Sequence, residues 1–560
     1  MSDASTLTQP DSTGPSARHA LGEPLPLTVG FTGPRARGLL GDAVRAVGLG
    51  RSGATGGGID LTASDVEGVD LLVLEGGSVG DEQAMRTARQ SGVPVVAFAD
   101  PERDVGGEAG VAPSTVDLVI GAPGPDRLAA APALDPTVFN PESFRDAGVA
   151  GLAAVITRDG GGFDPGFALL AQYSHDEPVT VMAPAGAELP PLPAGARRAG
   201  LGPSIDPIRA VRQAGSHLGV LDHPAFHASE LERAGWIAKL CAAGVPVAAA
   251  EISDSLAELL GAELAGLLEG VRARDLADLD LRERTSVALR RAALRSHSSE
   301  ARWRQICAAL GTPLPGRPMV SVVLATRRES WLEHGIAQVV RQTYEPRELI
   351  VCLHGDEFAP GTSERVRSLY GEAGGAGDCR VLRVAGELTL GDALNAGVEA
   401  ANGELVTKMD DDDYYSTEHL WDLVLALEYS GADLVGKAAE FVYLEEIDVT
   451  VRQISQDVDT RMAGGGMMAR KAPLQAIGGW PQRSRGEDLH LIRRFAGDGR
   501  PIHRIPPHGY ILNRHGVDHT WRPQVDYFLF RSERQWRGLG FDVTAIERPD
   551  DPYSRIPHAG

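Results

Sequence analysis

Cysteine is nearly missing from this chain: there are four in 560 residues, Cys241, Cys307, Cys352 and Cys379, and none forms a C-x-x-C pair. That spacing excludes a zinc knuckle or a redox dithiol and fits a reducing compartment. Long apolar runs are missing too. No stretch offers the roughly 18 uncharged apolar residues of a membrane span, and the polar opening MSDASTLTQPDSTGPSARHALGEP has no signal-peptide core. The expectation is a cytoplasmic protein with no transmembrane segment. Basic side chains are in deficit, 54 against 76 acidic ones for a net charge of −22, which argues against nucleic-acid binding and broad adhesion to anionic membranes. No G-x-x-x-x-G-K-[ST] loop occurs, so P-loop kinases and ATPases are disfavoured. Neither a short repeat nor a long heptad pattern is present, which removes solenoids and coiled coils.

What is present is α/β patterning in three blocks. Residues 1–25 are rich in Ser, Thr, Pro and Gly, a composition that buries too little apolar surface to order itself. From residue 26 to 148, PLTVGFTG, DLLVLEGG, VPVVAFAD and VDLVIGAP alternate with Ala-rich helical stretches. From 149 to 312 the same pattern returns in AAVITRDG, PVTVMAPA, HLGVLDHP and VPVAAAEI, followed by helical sequence. Uniformly apolar strands between helices predict parallel sheets covered on both faces, hence two Rossmann-like domains, joined through the Pro- and Asp-rich APALDPTVFNPESFRD. A linker at 313–318 separates them from a third unit, 319–545, with a tail at 546–560.

The chemistry concentrates in the third unit. ELVTKMDDDDYY places Asp410, Asp411, Asp412 and Asp413 just past the carboxyl end of a strand, where open α/β sheets bind ligands. Unpaired carboxylates beside a buried strand are costly, and a hard Mg²⁺ or Mn²⁺ ion holding a diphosphate would relieve the conflict; a solvated acidic turn is the bland alternative. In GGWPQRSRGEDLHLIRRF, Glu487 and Asp488 open a helix. They either cap it or supply a base that takes the proton of an attacking hydroxyl. His515, beyond the strand-like YILNR, is a candidate metal or diphosphate ligand, with a structural histidine as the alternative, and His519 is a second candidate. AGGGMMARK reads as a flexible turn rather than a substrate contact. The stretch VDYFLFRSERQWRGLG reads as a helix packing back on this unit, with peripheral contact to a membrane-borne acceptor as the alternative.

Taken together, VSVVLATRRESWLEHGIAQVVRQTYEPRELIVCLHG, LGDALNAGVEAANGELVTKMDDDDYY, GGGMMARKAPLQAIGGW and RGEDLHL resemble the family-2 glycosyltransferases of GT-A fold over roughly two hundred residues. The resemblance implies that Asp410 and Asp412 fill the acidic places of a D-x-D motif. Asp412 would then be a metal ligand, Asp411 would lie near the donor's ribose and phosphates, and Asp488 would be the catalytic base. It implies further that Thr326 and Arg327 line the nucleotide pocket and that Asn395 follows the donor-side helix. His354 stands where the family commonly has an Asp, so recognition of the base differs.

The N-terminal half resembles, over short pieces only, the GT-B-like domains of spore-maturation-type glycosyltransferases, through DPTVFNPE and HPAFHASELERAGWIAKLCAAGVPVAA. Lys239 occupies the place where that group holds the donor ribose with a Glu, which favours an accessory or acceptor-binding role over a second active transferase. The implied whole is a GT-B-like pair followed by a GT-A domain. It would be an inverting enzyme that moves a sugar from a nucleotide-diphosphate donor to a glycan or lipid-linked acceptor in cell-surface polysaccharide synthesis. A nucleotidyltransferase is the rival enzyme, and a non-catalytic glycan-binding scaffold built from degenerate transferase folds is the rival of another class.

Overall fold

The computed structural model describes residues 25–31, 44–48, 69–75, 81–98, 118–121, 127–129, 133–136, 139, 151–157, 162–184, 186–200, 207–215, 217–453, 462–515, 524–540 and 544. The tail at 546–560, His519 and most of the expected tail at 1–25 lie outside them, while Leu25 already opens the first strand.

Two parallel sheets make up the N-terminal part. The first has six strands, in the order Val44–Gly48, Leu25–Phe31, Leu71–Glu75, Val95–Phe98, Leu118–Gly121 and Arg127–Ala129. The second has five, in the order Val247–Ala249, Val220–Asp222, Leu152–Val155, Val179–Ala183 and Ala196–Gly200. Each apolar run picked out in the sequence became a strand, because a sheet covered on both faces needs apolar residues at every position, and Val179–Ala183 is buried throughout. Three strands came from no such run: VRAVG, RLA and ARRAG. All three lie at sheet edges, where one side is open and arginine is tolerated. After the second sheet, the helix Ser299–Leu310 returns to the first, where Trp303, Ile306 and Cys307 pack with Leu25, Val29 and Leu71.

The C-terminal unit is built on a seven-stranded mixed sheet ordered Cys379–Val384, Arg347–His354, Val320–Thr326, Leu405–Lys408, Met462–Arg470, Leu434–Ala438 and Ile502–Ile505. The first four strands run parallel, and Met462–Arg470 runs antiparallel to both its neighbours. A smaller sheet stands over the carboxyl ends, with order Tyr414–Tyr415, Tyr510–Arg514, Phe441–Leu444, Val449–Gln453 and Ser532–Arg537. Its last strand corrects an expectation. Only Val525–Leu529 of the aromatic and basic stretch is helical, and SERQWR pairs with Val449–Gln453, because its exposure alternates with the period of two that suits a half-covered edge.

The helix Leu279–His297 ties the halves together through charge. Arg291 grips Asp422 with two bonds of 2.7 and 3.1 Å, Arg295 meets Glu418 at 2.9 Å, and Arg452 meets Glu283 at 2.6 Å. Lys437 reaches the same Asp422 at 2.8 Å. Among the described residues no helix is long and apolar enough to cross a membrane.

Candidate functional site

Strand register brings the acidic run to the site. Lys408 lies opposite Val323 on the neighbouring strand, so the chain beyond it continues beside the last residues of Val320–Thr326. The Met409 N–H donates to the Val323 carbonyl at 3.1 Å, and the Thr326 hydroxyl donates to the Asp411 carboxylate.

The four acids then part company. Asp413 turns inward: it accepts from the Tyr510 hydroxyl at 2.6 Å and from the Asn513 N–H at 2.9 Å, and is 1% exposed. Asp411 is clasped by the Arg328 guanidinium. One oxygen of Asp412 meets Arg328 at 2.9 Å and lies 3.0 Å from His515 Nε2. The His515 ring stacks on Trp331 with centroids 5.0 Å apart, which fixes its plane. Asp410 faces the buried Lys408 ammonium at 3.3 Å, and the same ammonium reaches Glu487 at 3.3 Å and Asp488 at 3.1 Å. Lys408 thus joins the acidic run to the start of the helix Glu487–Gly497.

Most of these side chains, though not His515 or Trp331, line a cavity of about 710 Å³. Seven carboxylates line it, Asp410 to Asp413 with Glu357, Glu487 and Asp488, against four cationic groups, Arg327, Arg328, Lys408 and Arg514. Burial raises these acids, and the surplus of carboxylates adds to it. Burial, with Asp488, Asp412 and Glu487 adding repulsion against the pull of Lys408, pushes Asp410 up to about 6. Burial and Asp412 raise Asp411 to about 6 in spite of Arg328. Burial also raises Asp488 above the ordinary carboxylate range, with Lys408 opposing.

Of the residues singled out in the sequence, Thr326, Arg327, His354, the four aspartates, Glu487 and Asp488 all line the cavity. His354 Nε2 lies 2.9 Å from the Leu388 carbonyl and 2.7 Å from Arg327. Asp412 and His515 come together, whereas Asp410 stands apart beside Lys408. Among the described residues no group of three or more His, Cys, Asp and Glu side chains is arranged to hold a metal ion. Asn395 is not among the cavity residues: its amide donates to the Trp480 carbonyl at 2.9 Å and accepts from the Trp480 N–H at 2.8 Å, a latch on the loop before the Glu487 helix.

The glycine run is a strand, not the expected flexible turn. A Cβ at Gly464 would lie 1.9 Å from an Asp488 oxygen, and one at Gly465 would lie 2.5 Å from the Tyr415 hydroxyl, so the missing side chains make room for the acids. Lys408 and Arg328 escaped the sequence reading. The available signals were a lysine closing an apolar strand directly before four acids, and an arginine doublet at the end of another strand.

No curated protein sequence matches the chain at a significant level. Among solved structures, the mannosyltransferase PcManGT from Pyrobaculum calidifontis, in complex with GDP-Man and Mn²⁺, is 16% identical with a TM-score of 0.30 and aligns over 36% of this chain and 59% of its own. TarS 1–349 from S. aureus in complex with UDP-GlcNAc is 15% identical with a TM-score of 0.30, over 38% of this chain and 63% of its own. The chain thus spans less than two thirds of either, and likenesses this distant carry no ligand over. The family model described as glycosyl transferase family 2 matches residues 321–458; Asp488 and His515 lie beyond that stretch. The C-terminal part of this chain therefore carries a family-2 glycosyltransferase domain.

Proposed function

We propose that this domain is a metal-dependent, inverting glycosyltransferase that takes a sugar from a nucleotide-diphosphate donor. The observation that carries the reading is the charge of the cavity, seven carboxylates against four cations. A diphosphate is itself an anion, so this cavity favours it only together with a divalent cation. The residues fit such an ion. Mg²⁺ or Mn²⁺ is usually held by one or two protein ligands plus donor phosphates, and Asp412 with His515, each now 2.9 Å from Arg328, would supply that pair, while Asp410 stands apart beside Lys408. When bound, the ion supplies neutralisation of the charge that develops on the leaving diphosphate.

The chain's own residues do the rest. Thr326, Arg327, His354 and Asp411 form the donor end. Asp488 accepts the proton of the acceptor hydroxyl as that oxygen attacks the anomeric carbon, and its raised pKa brings it closer to working pH. Lys408 and Glu487 position it. One displacement on one face inverts the anomeric centre. The acceptor is a glycan or a lipid-linked acceptor in cell-surface polysaccharide synthesis, reached from the cytoplasm. Residues 26–312, a GT-B-like pair, have an accessory or acceptor-binding role: Lys239, in the ribose position of the short resemblance, is instead held near the Phe139 and Trp236 rings, its ammonium 5.9 and 5.8 Å from their centroids.

The test is nucleotide release from a panel of UDP-, GDP- and dTDP-sugars with Mn²⁺ or Mg²⁺. Metal-dependent release of one nucleotide, lost in Asp412→Ala, is expected. Absence of both turnover and metal-dependent donor binding across the panel would favour the scaffold reading instead.

A further inference from the structure

A second cavity, of about 570 Å³, lies where the second parallel sheet, the helix Leu279–His297 and the family-2 domain meet. Its charge is the reverse of the first. Four arginines line it, Arg282, Arg290, Arg452 and Arg504, against two glutamates, Glu283 and Glu440. Both glutamates are already engaged by Arg452, at 2.6 and 3.2 Å. Arg290 is 6% exposed, and among the described residues it has neither a hydrogen bond nor an ion pair. His508 is 2% exposed, its Nε2 lies 3.8 Å from Glu283, its nearest carboxylate, and neither of its ring nitrogens has a hydrogen-bond partner. A buried imidazole without a hydrogen bond is costly, and an anion entering the cavity beside Arg290 would supply the missing bond.

We infer that this cavity binds a small phosphate-bearing ligand, a phosphate monoester up to the size of a sugar phosphate, with Arg290 and His508 as its principal contacts. The volume suits such a molecule, and the apolar Val245, Pro246 and Val287 give its uncharged part a surface. The place differs from a Rossmann-type donor site. Leu218 and Val245–Pro246 stand just before the strands Val220–Asp222 and Val247–Ala249, at the amino ends of the sheet, whereas nucleotides bind at carboxyl ends. A single segment separates the two cavities: Ala438 and Glu440 face the basic one and Ala439 the acidic one. An anion here therefore bears on a wall of the transferase cavity, and its binding stands whether or not the proposed transfer does.

The test is calorimetric titration of the full chain with inorganic phosphate, glucose 1-phosphate and neutral glucose, repeated in Asp412→Ala, Arg290→Met and His508→Phe. Saturable binding of a phosphate compound but not of glucose is expected, unchanged in Asp412→Ala and weakened about tenfold or more in Arg290→Met. Tighter binding of glucose 1-phosphate than of inorganic phosphate would assign the ligand as a sugar phosphate, and the reverse order would assign free phosphate. Because Arg290 has no internal partner, Arg290→Met should keep or raise the Tm of the free protein; a fall in Tm would mark Arg290 as structural and overturn its role. His508→Phe, which keeps the contact with Phe441, should also weaken binding. No saturable binding of either phosphate compound, or binding indifferent to both Arg290→Met and His508→Phe, would overturn the proposal.

Discussion

Two buried carboxylate centres sit at the carboxyl ends of strands, one in each half of the molecule, and they are solved in opposite ways. In the second parallel sheet Asp222 ends its strand against His227 at 2.8 Å and Arg233 at 2.7 Å. Arg233 spends a further donor on the Glu251 carbonyl at 3.0 Å. That network is closed, and although burial pushes the other way, His227 and Arg233 hold the Asp222 carboxyl below its ordinary value. In the family-2 domain Asp410 and Asp411 are pushed up to about 6 beside two cations that must serve five neighbouring acids. The first cluster pairs one acid with two partners of its own, whereas the second shares two cations among five acids, the arrangement on which the proposed donor site rests.

Experiments can sharpen or break that contrast. The largest effect is expected at the proposed base: Asp488→Asn should cut the transfer rate by about 10²–10⁴-fold while donor binding, measured by titration, persists. Loss of donor binding instead would mean that Asp488 belongs to the donor site. Next comes Asp222→Ala, which leaves Arg233 buried without its carboxylate and should cost about 3–5 kcal/mol in urea unfolding. A cost below about 1 kcal/mol would remove Asp222 from the structural class. Smaller again is the response to metal. Mn²⁺ at about a hundred times its Kd should stabilise the protein by about 2.7 kcal/mol, seen as a rise in Tm. The rise should disappear in Asp412→Ala and survive in Asp222→Ala.

The smallest expected effect is on pH dependence without metal. A carboxyl raised in the fold contributes stability that is present below its unfolded pKa and lost as pH rises through the folded value, so Asp410 and Asp411 weaken the protein between about pH 4 and 6. Asp222 has the opposite sign, its contribution being present above the ordinary carboxylate pKa and fading as acid is added. Asp410→Asn should flatten the first slope and Asp222→Asn the second, in Tm measured across pH; equal slopes in all three proteins would erase the distinction.

Much of this was legible in the chain. Apolar runs marked the interior strands because burial on both faces leaves no polar position, and the acids after LVTK marked the cavity because strand ends are where such sheets open. The edge strands VRAVG and ARRAG were not legible, since strands at a sheet edge accept arginine and carry no uniform apolar run. Nor was the split within the acidic run. Asp412 and Asp413 are neighbours of identical chemistry, and only Tyr510 and Asn513, about a hundred residues on, turn one of them into a core residue.

The order of residues by itself determined that three α/β blocks follow one another and that carboxylates crowd the end of one strand, because hydrophobic period and local charge are properties of short segments. Tertiary structure alone decided which acids line the cavity, that Lys408 joins Asp410 to Asp488, that Asn395 is spent on Trp480, and that Arg290 and His508 face a shared cavity. Pairing and desolvation are set by groups distant in sequence, and a linear pattern cannot specify the distances between them.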